Sequence, residues 1–252
     1  MPASIRSSLS PDITRRLEPL THAYRFLPIG KGSEGKAPLV KDWPNFPGAS
    51  IEQLNRWPGI KAIGVITGPS LLCFDFDGHT AVRRGFEHGL CADDTNTWRI
   101  NRDNDRDRFK LIFRPTAEQL AQLPNKQITC KEHTKDKVVG DDGKVIAKGE
   151  AIEVFMHPGR QVIVAGDHPS TGGVYLWPEG KGPERLLPPP GFWWDYVLKQ
   201  ARDYPNPAAG AHRTVSTGRG RNGDWRRLDR ETCPVCGRGP NDNPVCQIHR
   251  DG

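Results

Sequence analysis

The sequence predicts an α+β fold, on three observations. Short apolar runs of strand length are interleaved with helical segments, without the strict βαβ rhythm of a doubly wound sheet. The 252 residues include 27 Gly and 23 Pro, which dictates many turns. Two valine-rich runs, Val138-Val139 and Val145-Ile146, flank Gly140-Asp141-Asp142-Gly143, a β-hairpin signature that implies mixed or antiparallel pairing.

The elements follow in chain order. Ser10-Pro11 starts a first helix, with Ser10 as N-cap and Pro11 at the first helical position. Ser50-x-x-Gln53 and Thr116-x-x-Gln119 have the spacing of capping boxes for two short helices. Ala62 to Thr67 is a compact apolar run closed by Gly68-Pro69, which suits a buried strand and turn. Leu71 to Phe76 reads as the next strand, broken by acids at positions 75 and 77. Phe109 to Phe113, Ala151 to Phe155 and Gln161 to Ala165 are further strands, and Phe192 to Arg202 is a helix closing the main domain. The expected organisation is a main domain over 1–202, a basic Gly/Pro-rich linker over 203–224 and a small module over 225–252.

A formal charge of +6 suits a polyanionic partner, although a merely basic protein has the same balance. No apolar run approaches the length of a membrane span, and Met1 to Pro11 lacks the apolar core of a signal peptide. The chain therefore reads as cytoplasmic, where a disulfide framework is not expected. Cys73, Cys91 and Cys130 are scattered and read as structural.

The segment Leu71-Leu72-Cys73-Phe74-Asp75-Phe76-Asp77-Gly78 carries the most chemical information. Side chains two apart on a strand share a face, so Asp75 and Asp77 project together. Two carboxylates that close repel, and a divalent cation is the usual reason to hold both ionised. Such cations serve phosphoryl transfer by neutralising the triphosphate and stabilising the leaving group. The plain alternative is a strand ending in an acidic turn. The D-x-D-G stretch also superficially resembles haloacid dehalogenase-like phosphatases, in which the first Asp is a nucleophile. That family's usual Thr is His79 here, and Gly140-Asp141-Asp142 sits at a hairpin tip rather than at a strand end.

A second resemblance covers more of the chain, about residues 20 to 200. Lys36-Ala37-Pro38 to Trp43, then Ala62-Ile63-Gly64-Val65-Ile66-Thr67-Gly68, then Asp75-x-Asp77, then Ala165 to Trp177 stand in an order that resembles the bifunctional primase-polymerase branch of the archaeo-eukaryotic primase superfamily. The resemblance implies a primase-polymerase catalytic domain and a DNA-directed nucleotidyltransferase. Its partners would be single-stranded DNA template, primer and NTP or dNTP, in a bacterial, phage or plasmid replication setting. A helicase module often accompanies relatives, and the end of the chain three residues after His249 leaves room for a longer protein. It implies that Asp75 and Asp77, with Glu153 in the place of a third carboxylate, bind two Mg²⁺ or Mn²⁺ ions. Lys110 stands where the family has a nucleotide-binding His, with Arg106 and Arg108 beside it, although a solvated basic strand would look the same. His168, Ser170 and Thr171 lie in a Gly/Pro/Thr-rich loop suited to phosphate. Lys36 and Lys41 are nucleotide or template contacts or simply surface lysines. Trp43, Trp57, Tyr175 and Trp177 are expected to pack in the core. A fold that binds nucleic acid without catalysis is the competing reading, kept open by Lys110.

Cys233-x2-Cys236-x9-Cys246-x2-His249 presents four ligands in two close pairs, the pattern of a structural zinc site. Coincidental cysteines or a redox pair are the alternatives. A module of this size needs metal ligation for stability. Arg219, Arg221, Trp225, Arg226 and Arg227 around it suit phosphate contacts and stacking.

Overall fold

The computed structural model describes residues 11–31, 35–93, 95–103, 105–140, 143–168 and 173–203, together with two backbone strands at 225–227 and 247–249. The chain divides into two units, Met1–Asn206 and Pro207–Gly252.

In the first unit α1 (Pro11–Leu17) leads through a 3-10 turn into β1 (Phe26–Lys31) and the two-residue β2 (Ala37–Pro38). Helix α2 (Ile51–Asn55) is short and starts at a complete capping box, with Ser50 Oγ accepting from Gln53 N and Gln53 Oε1 accepting from Ser50 N. Strands β3 (Ala62–Ile66) and β4 (Leu72–Asp77) follow, then α3 (His79–Glu87), β5 (Trp98–Arg102) and β6 (Asp105–Phe113). The second capping box, Thr116 with Gln119, opens α4 (Ala117–Ala121). Then come β7 (Ile128–Lys135), the hairpin β8 (Val138–Val139) and β9 (Val145–Ala147), β10 (Glu150–Met156), β11 (Gln161–Asp167), β12 (Val174–Leu176) and α5 (Gly191–Asp203). In the second unit β13 (Trp225–Arg227) pairs antiparallel with β14 (Gln247–His249).

Ten strands form one sheet in the order β2-β1-β3-β11-β12-β5-β6-β4-β10-β7, and its pairings are antiparallel. Antiparallel strands alternate their faces, and β4 shows what that does here. Leu72, Phe74 and Phe76 enter one buried cluster with α3 and α5, where Phe74 meets Trp193 edge-to-face at 4.8 Å. Cys73 points the other way, into the cluster built on α1, α2, β1, β3 and β11. Asp75 and Asp77 continue the Cys73 face. The expected strand and helix positions at 62–67, 71–76, 109–113, 151–155, 161–165 and 192–202 all lie within observed elements, to within a residue at either end. The expected mixed or antiparallel pairing is antiparallel throughout the described sheet. Strands β1, β5 and β7 and helix α3 had no counterpart in the sequence reading.

Trp43 and Trp57 are partly buried against the first cluster, and Tyr175 lies within it with Trp177 packed at its margin. Cys73 and Cys130 are buried free thiols and Cys91 is partly buried. No helix among the described residues is long and apolar enough to cross a membrane. Cys233, Cys236, Cys246 and residues 204–224 of the expected linker lie outside the described residues, and of His249 only its backbone place on β14 is described.

Candidate active site

On one face of the sheet, apolar residues give way to charge in successive cross-strand rows. Cys73 is paired with Ile112 on β6 and Phe155 on β10, all three buried. One row further, Asp75 is flanked directly by Lys110 and Glu153. In the next, Asp77 is opposite Arg108. The two-residue period therefore carries three carboxylates and two cations onto one face, from three adjacent strands.

Each carboxylate is turned to a basic side chain. Lys110 Nζ lies 3.2 Å from Asp75 Oδ1. Arg108 donates to Asp77 and, through Nε, to Asp105 at 2.9 Å. Glu153 accepts from Lys131 Nζ at 2.7 Å and from Arg160 Nη2 at 2.5 Å. Arg160 also lies over the Phe155 ring, 4.6 Å from its centroid. Among the described residues no three His, Cys, Asp or Glu side chains converge on a single point. The carboxylates expected to share metal ions are thus neighbours in register, each held by a cation, rather than a closed ligand cage. Opposite charges this near are the strongest local partners available to them.

Protonation follows the same layout. Burial holds the Asp75 carboxyl above the usual range, and the like charges of Asp77 and Glu153 add to it while Lys110 opposes. Burial works against the Lys110 ammonium, yet Asp75 and other nearby groups outweigh it and hold its pKa above the ordinary lysine value. Burial would likewise raise Glu153, but Lys131 and Arg160 prevail and hold it below the usual range.

Asp75, Asp77 and Lys110 line a cavity of about 190 Å³, whose walls also include Lys36, Arg102 and Arg160. His168 closes one side, 5.5 Å from the Tyr175 ring, with its backbone N–H bonded to Gly173 O at 2.6 Å. Burial, then Arg102, Lys36 and Lys110, lower its pKa to about 4, so the imidazole is neutral at pH 7. Lys110 Nζ lies 5.7 Å from the centroid of Tyr175. The backbone bends towards this corner at Gly166, whose φ of +102° brings it against Lys61 and Ala62, leaving no space for a Cβ.

Of the residues singled out in the sequence, Asp75, Asp77, Lys110, Arg108, His168 and Lys36 meet at this cavity, and Glu153 adjoins it through Arg160. Arg106 does not. It is exposed and lines a separate cleft with Phe76, Phe86 and Arg99, because the β5–β6 register slips between Asn101 and Arg102 and breaks the alternation there. Ser170 and Thr171 lie outside the described residues. Lys41 is exposed and does not line the cavity. Arg102, Arg160 and Tyr175 were not picked out as functional in the sequence reading. Arg160 follows a Pro-Gly turn after β10, and only the fold brings it back to Glu153.

The family model described as bifunctional DNA primase/polymerase, N-terminal (Prim-Pol), matches residues 17–191. The chain belongs to this family. The prim-pol match spans every described residue of the cavity, from Lys36 to Tyr175. Prim-pol enzymes are nucleotidyltransferases that generally depend on divalent metal ions, and membership sets the phosphatase resemblance aside. A search among characterised proteins finds no match.

The donor set suits such an ion. Asp75, Asp77 and Glu153 offer only carboxylate oxygens, the preference of Mg²⁺ and Mn²⁺, from adjoining register positions. Burial first, and then the like charges of Asp77 and Glu153, work against an ionised Asp75, and a cation relieves both.

Proposed function

We propose that this prim-pol synthesises and extends primers on single-stranded DNA by template-directed nucleotidyl transfer from NTP or dNTP. The observation that carries the reading is the row Asp75-Lys110 with Asp77-Arg108 in a cavity that also carries Lys36, Arg102 and Arg160, with Glu153 beside Asp75 in register. A 3′-hydroxyl oxygen forms the new bond to the α-phosphorus. The α–β phosphoanhydride bond breaks, pyrophosphate carries away the electron pair, and the hydroxyl proton passes to solvent.

Asp75, Asp77 and Glu153 would hold two Mg²⁺ or Mn²⁺ ions, which supply charge neutralisation between the incoming hydroxyl and the triphosphate. Lys110 and Arg160, now paired with carboxylates, and the cavity residues Lys36 and Arg102 grip phosphate oxygens, Arg in bidentate fashion and Lys as a point charge. Neutral His168 contributes a hydrogen bond rather than a charge. The C-x2-C-x9-C-x2-H spacing of Cys233, Cys236, Cys246 and His249 supports a structural zinc site that engages the template strand. Metal analysis of the purified chain tests it.

The Lys110–Asp75 pair also favours a second reading, a prim-pol fold that binds DNA without catalysis, since the ammonium occupies a carboxylate that the metal needs. One assay separates the two. The chain and Asp75→Ala are incubated with single-stranded template, labelled nucleotides and Mn²⁺ or Mg²⁺, with and without an annealed primer. Products from the wild type alone support transfer at Asp75; silence in both formats with DNA binding retained supports the second reading.

A further inference from the structure

Helix α3 begins two residues after Asp77, yet its N-cap, Gly78, has no side chain to satisfy the first helical N–H groups. The acceptor comes from a distant part of the chain. Glu150 Oε2 accepts from Thr80 N at 2.7 Å and from Thr80 Oγ1 at 2.9 Å, while Thr80 Oγ1 also lies 2.8 Å from Thr134 Oγ1. Lys135 Nζ stands 3.5 Å from the other carboxylate oxygen. Glu150 thus caps the helix that starts where the acidic strand ends.

Glu150 also touches the turn itself. Gly78 has φ +126°, and a Cβ there would fall 2.5 Å from the Glu150 carboxyl carbon. The carboxylate therefore lies flat against the backbone that follows Asp77, in contact a side chain would forbid. A register shift between Glu150 and Ala151 in the β10–β7 pairing sets the acid at this spot. From there β10 divides its labour: Glu153 stands in the Asp75 row on one face, and Glu150 reaches α3 on the other. The Glu150 side chain is 13% exposed, so little water competes for these bonds.

We propose that Glu150 is a positioning residue that fixes the Asp77–Gly78 turn and so aims the Asp77 carboxylate at the metal. The proposal rests on Asp77 being a metal ligand, as read above. Capping α3 and filling the space beside Gly78 leave the turn a single direction, which a ligand needs to be held to a fraction of an ångström.

The test is Mn²⁺ titration of the full chain, followed by electron paramagnetic resonance, alongside primer extension and thermal melting. Glu150→Ala is expected to weaken Mn²⁺ binding about 10-fold, in line with losses on removing residues that orient metal ligands. Glu150→Gln keeps the acceptor oxygen and is expected to recover most of that affinity. Thr134→Val removes the other partner of Thr80 and is expected to lower the melting point without altering Mn²⁺ affinity. If Glu150→Ala melts lower but binds Mn²⁺ as the wild type does, Glu150 is a helix cap only and the proposal is overturned. Asp77→Asn separates that failure from failure of the underlying reading: unchanged Mn²⁺ binding there means Asp77 is not a ligand at all. A Glu150→Ala chain too unstable to assay leaves the decision to Glu150→Gln, for which a loss as large as that of Asp77→Asn also refutes the proposal.

Discussion

Replacing Lys110 with methionine removes one cation from the acidic row while keeping most of the side-chain volume. At 3.2 Å and an effective dielectric of 20, the Lys110–Asp75 attraction is about 5 kcal/mol before desolvation is counted. The two side chains are 19% and 26% exposed, between the surface pairs that contribute at most about 1 kcal/mol and the buried pairs whose breaking costs about 3 to 5 kcal/mol. A net loss of about 2 kcal/mol follows, or about 4 to 8 °C in melting temperature for a unit of this size. The variant leaves Asp75 facing Asp77 and Glu153 without its counter-ion, so added Mn²⁺ no longer competes with an ammonium. Saturating Mn²⁺ is therefore expected to raise the melting temperature of Lys110→Met more than that of the wild type, because ligand stabilisation grows with affinity for the folded state. Differential scanning calorimetry with and without Mn²⁺ measures both effects, with exposed Lys199→Met as reference. A Lys110→Met chain that melts within about 1 °C of the reference and gains no more from Mn²⁺ than the wild type refutes the argument.

Three further outcomes are expected. Arg160→Ala leaves Glu153 paired with Lys131 and removes a phosphate grip, so primer extension should show KM for nucleotide raised about 10-fold or more, with DNA binding little changed. His168 falls from 6.5 to about 4 on folding, so the unfolded chain takes up its proton first; stability is whole above pH 6.5 and falls by at most about 3 kcal/mol as pH drops to 4, a slope that chemical denaturation of His168→Asn should lack. Gly166→Ala sets a Cβ 2.6 Å from the Ala62 Cα and the Lys61 oxygen at φ +102°, which should cost about 2 to 4 kcal/mol in urea unfolding and displace His168.

What the sequence disclosed was whatever local spacing encodes. The period of two in Leu72 to Asp77 put both aspartates on one face, and both capping boxes stand where Ser50 and Thr116 placed them. Helix α3 went unread because its cap is Glu150, 70 residues away, and Gly78 announces a turn rather than a start. Strand β7 carries Lys131, Glu132, His133, Thr134 and Lys135 beside few apolar residues, so its half-exposed alternation gives little strand signal. Arg160 was invisible for a different reason. Nothing near it in the chain mentions Glu153 seven residues earlier, and only β10 turning into β11 makes them partners. Arg106 shows the converse, a residue that alternation would put beside Arg108 until a register slip moved it.

The order in which β4 meets its neighbours bears on how the chain survives its own synthesis. At about 5 to 20 residues per second, Leu72 to Phe76 waits roughly 2 to 7 s for β6 and longer for β10, with three large apolar side chains and an open backbone ladder on either side. Such a segment invites pairing with another nascent chain. Asp75 and Asp77, uncompensated until Lys110 and Arg108 arrive, place two like charges inside it and so act as gatekeepers against aggregation. Neutralising them, as a catalytic test would with a double Asn variant, should therefore lower soluble yield as well as activity.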